Sequence, residues 1–230
     1  ISLIDLILNI ISLTGLLKRS FNEAIFWTFI LLNLFSSLEI VLFKVIIKIL
    51  MKFYYKHADL IIGNSHDLSL SLEKFVNTKI ETIYNPCYFP GSINSKKTKI
   101  NKKINILNVA RLENQKDHIT LLNAIKNLKN KINYRLNIVG YGSQYLNIIN
   151  YIKDNDLKDV VKIHQNVDDA SKFYKKADLF VLTSLYEGFP NVLVEAAQNN
   201  IPIISTNCNS GPREILLGGR GGELVEKKIT

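Results

Sequence analysis

Residues 177–195, with the sequence ADLFVLTSLYEGFPNVLVE, decide the fold of this chain. The run 179–183 is apolar, a short polar loop follows it, and Pro190 stands where a helix can begin. Gly188 in the loop allows the backbone to approach another group closely. The stretch therefore predicts one buried strand that leads through a loop into a helix, which is the repeating unit of an α/β domain.

The same alternation extends over residues 104–225. Strands are predicted at 104–110, 134–139, 160–164, 179–183, 201–206 and 223–225. Helices are predicted at 117–129, 143–155, 168–176, 191–199 and 212–217, each long enough to cross back over a sheet. Right-handed βαβ units of this kind form a parallel sheet with helices on both faces, so the prediction is a Rossmann-like domain. Such sheets bind ligands at the carboxyl ends of their strands.

Composition excludes several classes of protein. Of 230 residues, 47% are hydrophobic and 21% charged, which is the balance of a chain that packs a core. Cys87 and Cys208 lie far apart without a neighbouring metal-ligand cluster, so a reducing, cytoplasmic compartment is expected. The net charge is +9, but its lysine groups do not alternate with aromatic residues and arginine. Nucleic acid is therefore not the expected partner.

The commonest nucleotide and hydrolase motifs are missing. Gly140 and Gly142 follow a strand, but the third glycine of GxGxxG would fall at Tyr145, which disfavours a dinucleotide oxidoreductase. The sequence has no GxxxxGK[ST] and no GxSxG. Its four histidines lack the spacing of metal ligands, so no metal site is predicted.

Two cations follow the first strand of the Rossmann-like region. Arg111 and Lys116 lie five positions apart after strand 104–110, at the carboxyl edge of the predicted sheet. Arginine offers a planar fork and lysine a point charge, which together suit a diphosphate and neutralise the charge of a departing phosphate. A solvated turn with ordinary surface cations is the alternative that the local pattern leaves open.

Two acids flank the loop and helix that follow strand 179–183. Glu187 is predicted in the loop, and Glu195 about one turn inside the helix. Free N–H groups at the start of that helix favour a phosphate. Carboxylates that point away from the phosphate can accept hydrogen bonds from sugar and ribose hydroxyls. A helix-terminal acid at Glu187 with a solvated Glu195 is the alternative.

The order of these motifs resembles that of family 4 retaining glycosyltransferases of the GT-B architecture, in the version found in bacterial enzymes that build surface polysaccharide or lipid-linked oligosaccharide. The resemblance is close over residues 104–226 and looser over 58–87. Besides the two cations and Glu195, the matching motifs are ADLIIGNS (58–65), IYNP (83–86), VGYG (139–142), ADLFVLTS (177–184), EGFPN (187–191), IPIIST (201–206) and SGPREIL (210–216).

The resemblance implies a role for each matching site residue. Arg111 and Lys116 would hold the donor diphosphate and stabilise the leaving nucleotide, and Glu187 would bind hydroxyls of the donor sugar. Glu195 would hold the ribose hydroxyls, and Gly140 would let the nucleotide lie close to the first turn. The backbone near the sugar and phosphates would be that of Gly188, Phe189, Pro190 and Asn191. Enzymes of this family retain the anomeric configuration and need no cofactor or metal. Their nucleotide sugar is a substrate, and in this family it is usually linked to UDP.

The resemblance also predicts the domain organisation. Residues 1–89 are expected to form part of an acceptor-side domain rich in helices, 90–103 a lysine-rich linker, and 104–230 the donor-binding domain with an incomplete C-terminal end. The family's acceptor domain starts with a glycine-rich loop and contributes a histidine to the cleft, whereas no histidine precedes His57 here. The chain is therefore expected to be a fragment of a longer protein.

A basic stripe in the N-terminal region suggests a membrane surface as a partner. Lys44, Lys48, Lys52 and Lys56 recur every four residues beside apolar positions, as on an interfacial helix that binds anionic lipid. A surface helix packed on its own domain remains an alternative. The apolar run 24–43 has the length of a membrane span but contains Glu39. The expected location is the inner face of the cytoplasmic membrane, with a glycan or polyprenyl-diphosphate-linked acceptor.

Two other functions stay open. A nucleotide-sugar 2-epimerase has a related two-domain shape, and release of the free epimer without any acceptor would identify it. A non-catalytic remnant that binds only a nucleotide or a membrane would bind UDP without turnover.

Overall fold

The computed structural model describes residues 37–87, 103–129 and 131–226. The chain forms two compact units, residues 1–58 and 59–230. In the first unit, helix α1 (Ser37–Tyr54) leads into a 3₁₀ turn (Tyr55–His57). Among the described residues, no helix combines the length and the apolar character needed to cross a bilayer. Residues 24–36 of the apolar run, and the predicted linker apart from Lys103, lie outside the described residues.

The second unit begins with a small βαβ element. Strands β1 (Ile62–Gly63) and β2 (Glu81–Thr82) pair in parallel, and helix α2 (His66–Val76) connects them. Helix α2 starts at Ser65, whose Oγ accepts a hydrogen bond from the Leu68 N–H at 3.3 Å. It ends where Asn77 adopts a left-handed conformation with φ of 54°. This strand, helix and strand lie within residues 58–87, the region of the looser resemblance.

A parallel sheet of six strands forms the body of the second unit. The strands are β3 (Ile104–Val109), β4 (Tyr134–Val139), β5 (Val161–His164), β6 (Leu179–Leu182), β7 (Ile203–Thr206) and β8 (Glu223–Val225). Their order across the sheet is β5-β4-β3-β6-β7-β8. The chain therefore adds β4 and β5 on one side of β3, and then crosses over to add β6, β7 and β8 on the other side. This is the Rossmann order. Ligands bind where this order reverses, between the carboxyl ends of β3 and β6.

Helices cover both faces of the sheet, and each face has its own core. Helices α3 (His118–Leu128) and α4 (Tyr145–Asp154) pack with Ile106, Leu136 and Ile138 of the strands. On the opposite face the helices are α5 (Ser171–Tyr174), α6 (Asn191–Gln198) and α7 (Pro212–Ile215). Phe180 and Leu193 lie in the core beneath them. Strand alternation divides the apolar residues between the two cores.

Helices α5 and α7 are shorter than predicted from the sequence. The prediction of a helix at 168–176 is wrong at its start, because Asp169 accepts hydrogen bonds from the N–H and Oγ of Ser171 and the helix begins only there. The predicted helix 212–217 stops at Ile215, since Leu217 and Gly218 have positive φ values of 50° and 68°. Strand β7 begins after Pro202, which has no N–H to donate.

A buried histidine lies at the first turn of α3. His118 is 3% exposed, and neither ring nitrogen has a hydrogen-bond partner among the residues that the structure describes. The pKa of its imidazole is lowered from 6.5 to about 4, chiefly by burial; the charge of Asp117 opposes this shift, and the charge of Lys116 adds to it. The folded protein therefore holds this ring uncharged at neutral pH.

We expect the free energy of unfolding to fall as the pH is lowered from about 6.5 to about 4. In this interval the unfolded chain takes up a proton at His118 before the folded chain does, so the folded state loses roughly 3 kcal/mol over the whole interval. Urea unfolding at several pH values measures the loss. His118→Leu removes the titrating ring and should show a shallower decline; parallel declines in both proteins would contradict the assignment.

Candidate active site

The candidate site lies at the carboxyl ends of β3 and β6. These neighbouring strands run in parallel, with Ile106 opposite Leu179 and Leu107 opposite Phe180. A 3₁₀ turn (Asn114–Lys116) follows β3, and the loop that contains Glu187 follows β6. The two segments that the sequence singled out therefore emerge side by side at the point where the strand order reverses.

Lys116 and Glu187 form a buried ion pair. The Nζ of Lys116 lies 2.5 Å from Oε1 of Glu187, and the two side chains are only 13% and 7% exposed. Ser184 Oγ donates a further hydrogen bond to the same carboxylate oxygen at 2.6 Å. Because water is largely excluded, each charge depends on the other for its compensation.

Hydrogen bonds hold the two loops against each other around this pair. Thr183 Oγ1 donates to the backbone oxygens of Lys116 and Asp117, both at 3.0 Å. Gln115 joins the loops twice: its backbone oxygen accepts from the Leu185 N–H at 2.8 Å, and its Nε2 donates to the Tyr186 oxygen at 2.7 Å. The arrangement fixes where the charges of Lys116 and Glu187 lie relative to the sheet.

The second predicted cation, Arg111, is exposed at the end of β3. Among the residues that the structure describes, its side chain has no ion pair with a carboxylate. The nearby Glu113 accepts hydrogen bonds from the N–H and Oγ of Ser143, which lower the pKa of its carboxyl, and the charge of Arg111 contributes to this shift. Lys116 thus forms an ion pair with the Glu187 loop, whereas Arg111 forms none with it among the described residues.

Gly140 lies where the loops after β3 and β4 meet backbone to backbone. A Cβ atom at this position would lie 1.9 Å from the oxygen of Ala110. The Leu112 N–H donates to the Tyr141 oxygen at 2.8 Å, which joins the same two loops. Only glycine fits at position 140, so the turn can present its backbone next to Arg111.

The loop 188–191 contacts the small βαβ element. Gly188 lies against the side chain of Asn64, the rings of Phe189 and Tyr84 have centroids 5.3 Å apart, and Asn191 Oδ1 accepts from Asn85 Nδ2 at 3.1 Å. Pro190 is buried and precedes the first residue of α6, as predicted. The backbone proposed to lie near the donor sugar therefore faces the part of the chain that resembles the acceptor domain.

Glu195 lies one turn inside α6, as predicted, and is half-buried. Its Oε2 accepts a hydrogen bond from the Tyr174 hydroxyl at 2.5 Å. Burial raises the pKa of the Glu195 carboxyl, while this hydrogen bond lowers it. Burial and the adjacent carboxylate together raise the pKa of the Tyr174 hydroxyl. Tyr174 therefore orients one oxygen of the acid, and no described residue donates to the other.

Glu214 connects the βαβ element to the end of the sheet. Its carboxylate accepts hydrogen bonds from the backbone N–H groups of His66 and Asp67 at 2.8 and 2.9 Å, and from the Tyr84 hydroxyl at 3.1 Å. The acid thus binds the N-terminus of α2, where free N–H groups and the helix dipole favour negative charge. This contact fixes α2 close to the loop 188–191.

Sequence reasoning did not assign Ser184, Ser210, Tyr174, Asn64 or Glu214 to the site. All of these residues except Tyr174 lie inside quoted motifs, and their polar character at strand and helix ends was the signal that could have identified them. Ser210 Oγ donates to the backbone oxygen of Glu187 and supports the loop. Tyr174 carried no sequence signal, because an aromatic residue in a crossover helix ordinarily belongs to the core.

The hydrogen-bond donors and acceptors that the ion pair leaves unused determine what the site can bind. Lys116 carries three donors, of which one is directed to Glu187. Both bonds to Glu187 end on Oε1, so Oε2 remains without a donor among the described residues. The pair can therefore offer donors to an anion and an acceptor to a hydroxyl at one place. A phosphorylated sugar carries both groups.

The sequence comparisons identify the family. A family model described as glycosyl transferases group 1 matches residues 92–229. An uncharacterized glycosyltransferase of Methanocaldococcus jannaschii is 29% identical over 222 residues, which is 91% of this chain and 54% of that protein. A 4-alpha-N-acetylgalactosaminyltransferase of Campylobacter jejuni, which acts on a diphospho-undecaprenol substrate, is 30% identical over 78% of this chain and 50% of that protein. The chain spans about half the length of these relatives.

Solved structures confirm the fold. The pneumococcal O-GlcNAc transferase GtfA superimposes with a TM-score of 0.65 at 18% identity, over 77% of this chain and 36% of that one. The predicted GT-B type of fold is thereby confirmed, with the six-stranded sheet as one Rossmann-like domain. Since the family model covers more than half of the sequence, this chain belongs to the glycosyl transferases of group 1.

Proposed function

We propose that this chain takes part in the transfer of a sugar from a nucleoside diphosphate sugar to a glycan acceptor, with retention at the anomeric carbon, as in family 4. The observation that carries the proposal is the buried pair of Lys116 and Glu187 at the adjoining ends of β3 and β6. UDP is the proposed carrier. The same chemistry would serve a related nucleotide.

The role proposed for each residue follows from the hydrogen-bond donors and acceptors that remain unused in the site. Lys116 directs its remaining donors to the diphosphate, and Arg111 adds a second cation from the rim. Glu187 accepts a hydrogen bond from a sugar hydroxyl on Oε2, and Glu195 accepts from the ribose on the oxygen that Tyr174 leaves free. Negative charge builds up on the diphosphate as the glycosidic bond breaks, and the two cations stabilise it.

We propose that the reaction needs no metal ion. The support is that two permanent cations stand where a divalent ion would otherwise neutralise the leaving diphosphate. Incubation with EDTA should leave the transfer rate unchanged. A loss of activity that Mg²⁺ or Mn²⁺ restores would overturn this part of the proposal.

We further propose an acceptor that is linked to polyprenyl diphosphate at the inner face of the cytoplasmic membrane. The Campylobacter relative named above acts on such a substrate. Helix α1 supplies a surface for the membrane: Leu42, Val45, Ile49 and Phe53 are exposed along one stripe, and Lys44, Lys48 and Lys52 are exposed beside it. An apolar stripe next to cations is the pattern of a helix that lies on anionic lipid.

Replacing Lys44, Lys48, Lys52 and Lys56 by glutamate should abolish flotation with liposomes that contain anionic lipid. Each lysine near such a surface contributes about 1 kcal/mol, so roughly 4 kcal/mol of attraction is lost before repulsion by glutamate is counted. The matched control changes four exposed lysines elsewhere, Lys74, Lys131, Lys153 and Lys158, to glutamate. Equal loss in both variants would mean that net charge, rather than the helix, binds the membrane.

The transfer itself is tested with radiolabelled UDP-, GDP- and dTDP-sugars and polyprenyl-diphosphate-linked acceptors. The expected result is label in the organic phase with one donor, and the same anomeric configuration in the product as in that donor. Free 2-epimer formed without acceptor would instead identify an epimerase. Bound UDP without label transfer from any donor would contradict the proposed transfer.

A further inference from the structure

A cavity of about 240 Å³ with a mixed lining opens on the face of the sheet that lies opposite α3 and α4; Ile106, Leu107, Phe173 and Ala177 form its apolar part. Strands β3, β4 and β5 form its floor, and the segment around α5 forms one wall. Its polar lining consists of Asn105, Arg135, Asn137, Lys162, His164 and Lys176. Neither the family resemblance nor the proposed transfer gives this cavity a role.

Strand alternation explains why polar side chains line part of the floor. Ile106, Leu136 and Ile138 face the core beneath α3 and α4, so their neighbours in the strands face the other side. On that side α5 contains only four residues and covers only part of β4 and β5. The side chains of Arg135 and Lys162 therefore reach solvent, while Asn137 and His164 lie partly buried between them and α5.

Most of the cavity lies away from the candidate active site. Asn105 and Arg135 lie four residues before the strand ends at Val109 and Val139. At about 3.3 Å per residue, that is roughly 13 Å from the edge where the nucleotide site is proposed. Of its lining residues, His164 ends β5 at the carboxyl edge, and its backbone oxygen accepts a hydrogen bond from the Gly140 N–H at 3.0 Å.

The charges around the cavity are mainly positive and unpaired. Among the described residues, Arg135, Lys162 and Lys176 take part in no ion pair with a carboxylate. Asp178 borders the cavity through Asn105, whose backbone N–H and Nδ2 both donate to it at 2.9 and 3.2 Å. Three cations thus face one carboxylate that already accepts two hydrogen bonds.

The polar groups of the floor are ordered. His164 Nε2 lies 3.0 Å from Asn137 Oδ1, and the His164 ring packs against Phe173 with centroids 4.6 Å apart. Burial lowers the pKa of the His164 imidazole, and the charges of Lys162 and Lys172 lower it further. An anion in the cavity would reverse the effect of these lysines on the ring.

We propose that this cavity binds a compact phosphate-bearing ligand, either inorganic phosphate or a small phosphomonoester. Arg135 offers a planar fork for two phosphate oxygens, and Lys162 and Lys176 add point charges from other directions. The volume is below the roughly 300 to 1,000 Å³ of sites for drug-sized ligands, which favours a small anion. The proposal does not depend on the proposed sugar transfer.

The test is an NMR titration of the ¹⁵N-labelled chain with inorganic phosphate. We expect saturable shifts of the amide signals of Arg135, Asn137 and Lys162, and a rise in the pKa of the His164 ring. In Arg135→Gln/Lys162→Gln the affinity should fall about tenfold or more, because two charge-assisted contacts are lost. The amide spectrum also reports whether each variant is folded.

The matched control is Lys153→Gln/Lys158→Gln, which removes the same charge from exposed positions outside the cavity. Unchanged affinity in this control supports the site, whereas an equal loss in both variants overturns it. Shifts confined to residues 111–116 and 187–191 would also overturn it. In a second arm, vesicles containing phosphatidic acid replace phosphate; binding to the vesicles alone would exclude a dissolved ligand.

Discussion

Replacing Lys116 by methionine is expected to lower the free energy of unfolding by about 3 kcal/mol or more, because it leaves a buried carboxylate without its cation. Glu187 is only 7% exposed, so water cannot replace the lost ammonium group. The same variant should bind a nucleoside diphosphate more weakly by roughly 1.5 to 3 kcal/mol, the range for a hydrogen bond to a charged group. Urea unfolding and calorimetric titration with UDP measure the two effects.

A double variant separates the two effects. Lys116→Met/Glu187→Gln removes both charges and keeps an oxygen to accept the hydrogen bond from Ser184, so most of the stability should return. Nucleotide binding should stay weak, because the cation is still missing. If the double variant bound UDP as well as the unchanged chain does, Lys116 would be a structural residue and its assignment to the donor would be wrong.

Gly140→Ala is expected to cost roughly 2 to 4 kcal/mol of stability and to weaken nucleotide binding. The new Cβ would lie 1.9 Å from the Ala110 oxygen, and both groups belong to backbone that cannot move aside without separating the loops. Those loops carry Arg111 and the turn 140–142. Thermal unfolding and UDP titration of the variant measure the cost.

Gly218→Ala is the matched control for this substitution. Gly218 also has a positive φ, of 68°, but a Cβ atom there would meet no atom of the described residues within 4 Å. Gly218→Ala should lower the free energy of unfolding by about 1 to 2 kcal/mol, from backbone strain alone, and leave nucleotide binding unchanged. Equal costs at the two positions would show that the contact with Ala110 is not what requires glycine at position 140.

Much of the fold was predictable from local patterns. Each of the six strands is a short apolar run between polar turns, and all six appear where the sequence predicts them, within two residues at either end. Helix length was less predictable. Helix α5 begins at Ser171 instead of at residue 168, because the side chain of Asp169 accepts a hydrogen bond from the Ser171 N–H. The spacing of the apolar residues does not reveal this local contact.

The contacts of the site were less predictable than its residues. The sequence placed Lys116 and Glu187 at two strand ends, but their direct contact depends on β3 and β6 being neighbours in the sheet. Glu214 contacts the start of α2 across 148 positions of sequence, and no local pattern predicts such a pairing. The orientation of Glu195 likewise depends on Tyr174, which the crossover brings beneath α6.

The segments after β3, β4 and β6 are proposed to form one binding site for a nucleoside diphosphate sugar. An NMR titration of the ¹⁵N-labelled chain with UDP tests it most directly. We expect saturable shifts, with one common affinity, at residues 111–116, 140–142 and 187–195, and their loss in Lys116→Met. Shifts that leave residues 187–195 unchanged, or that persist in Lys116→Met, would contradict it.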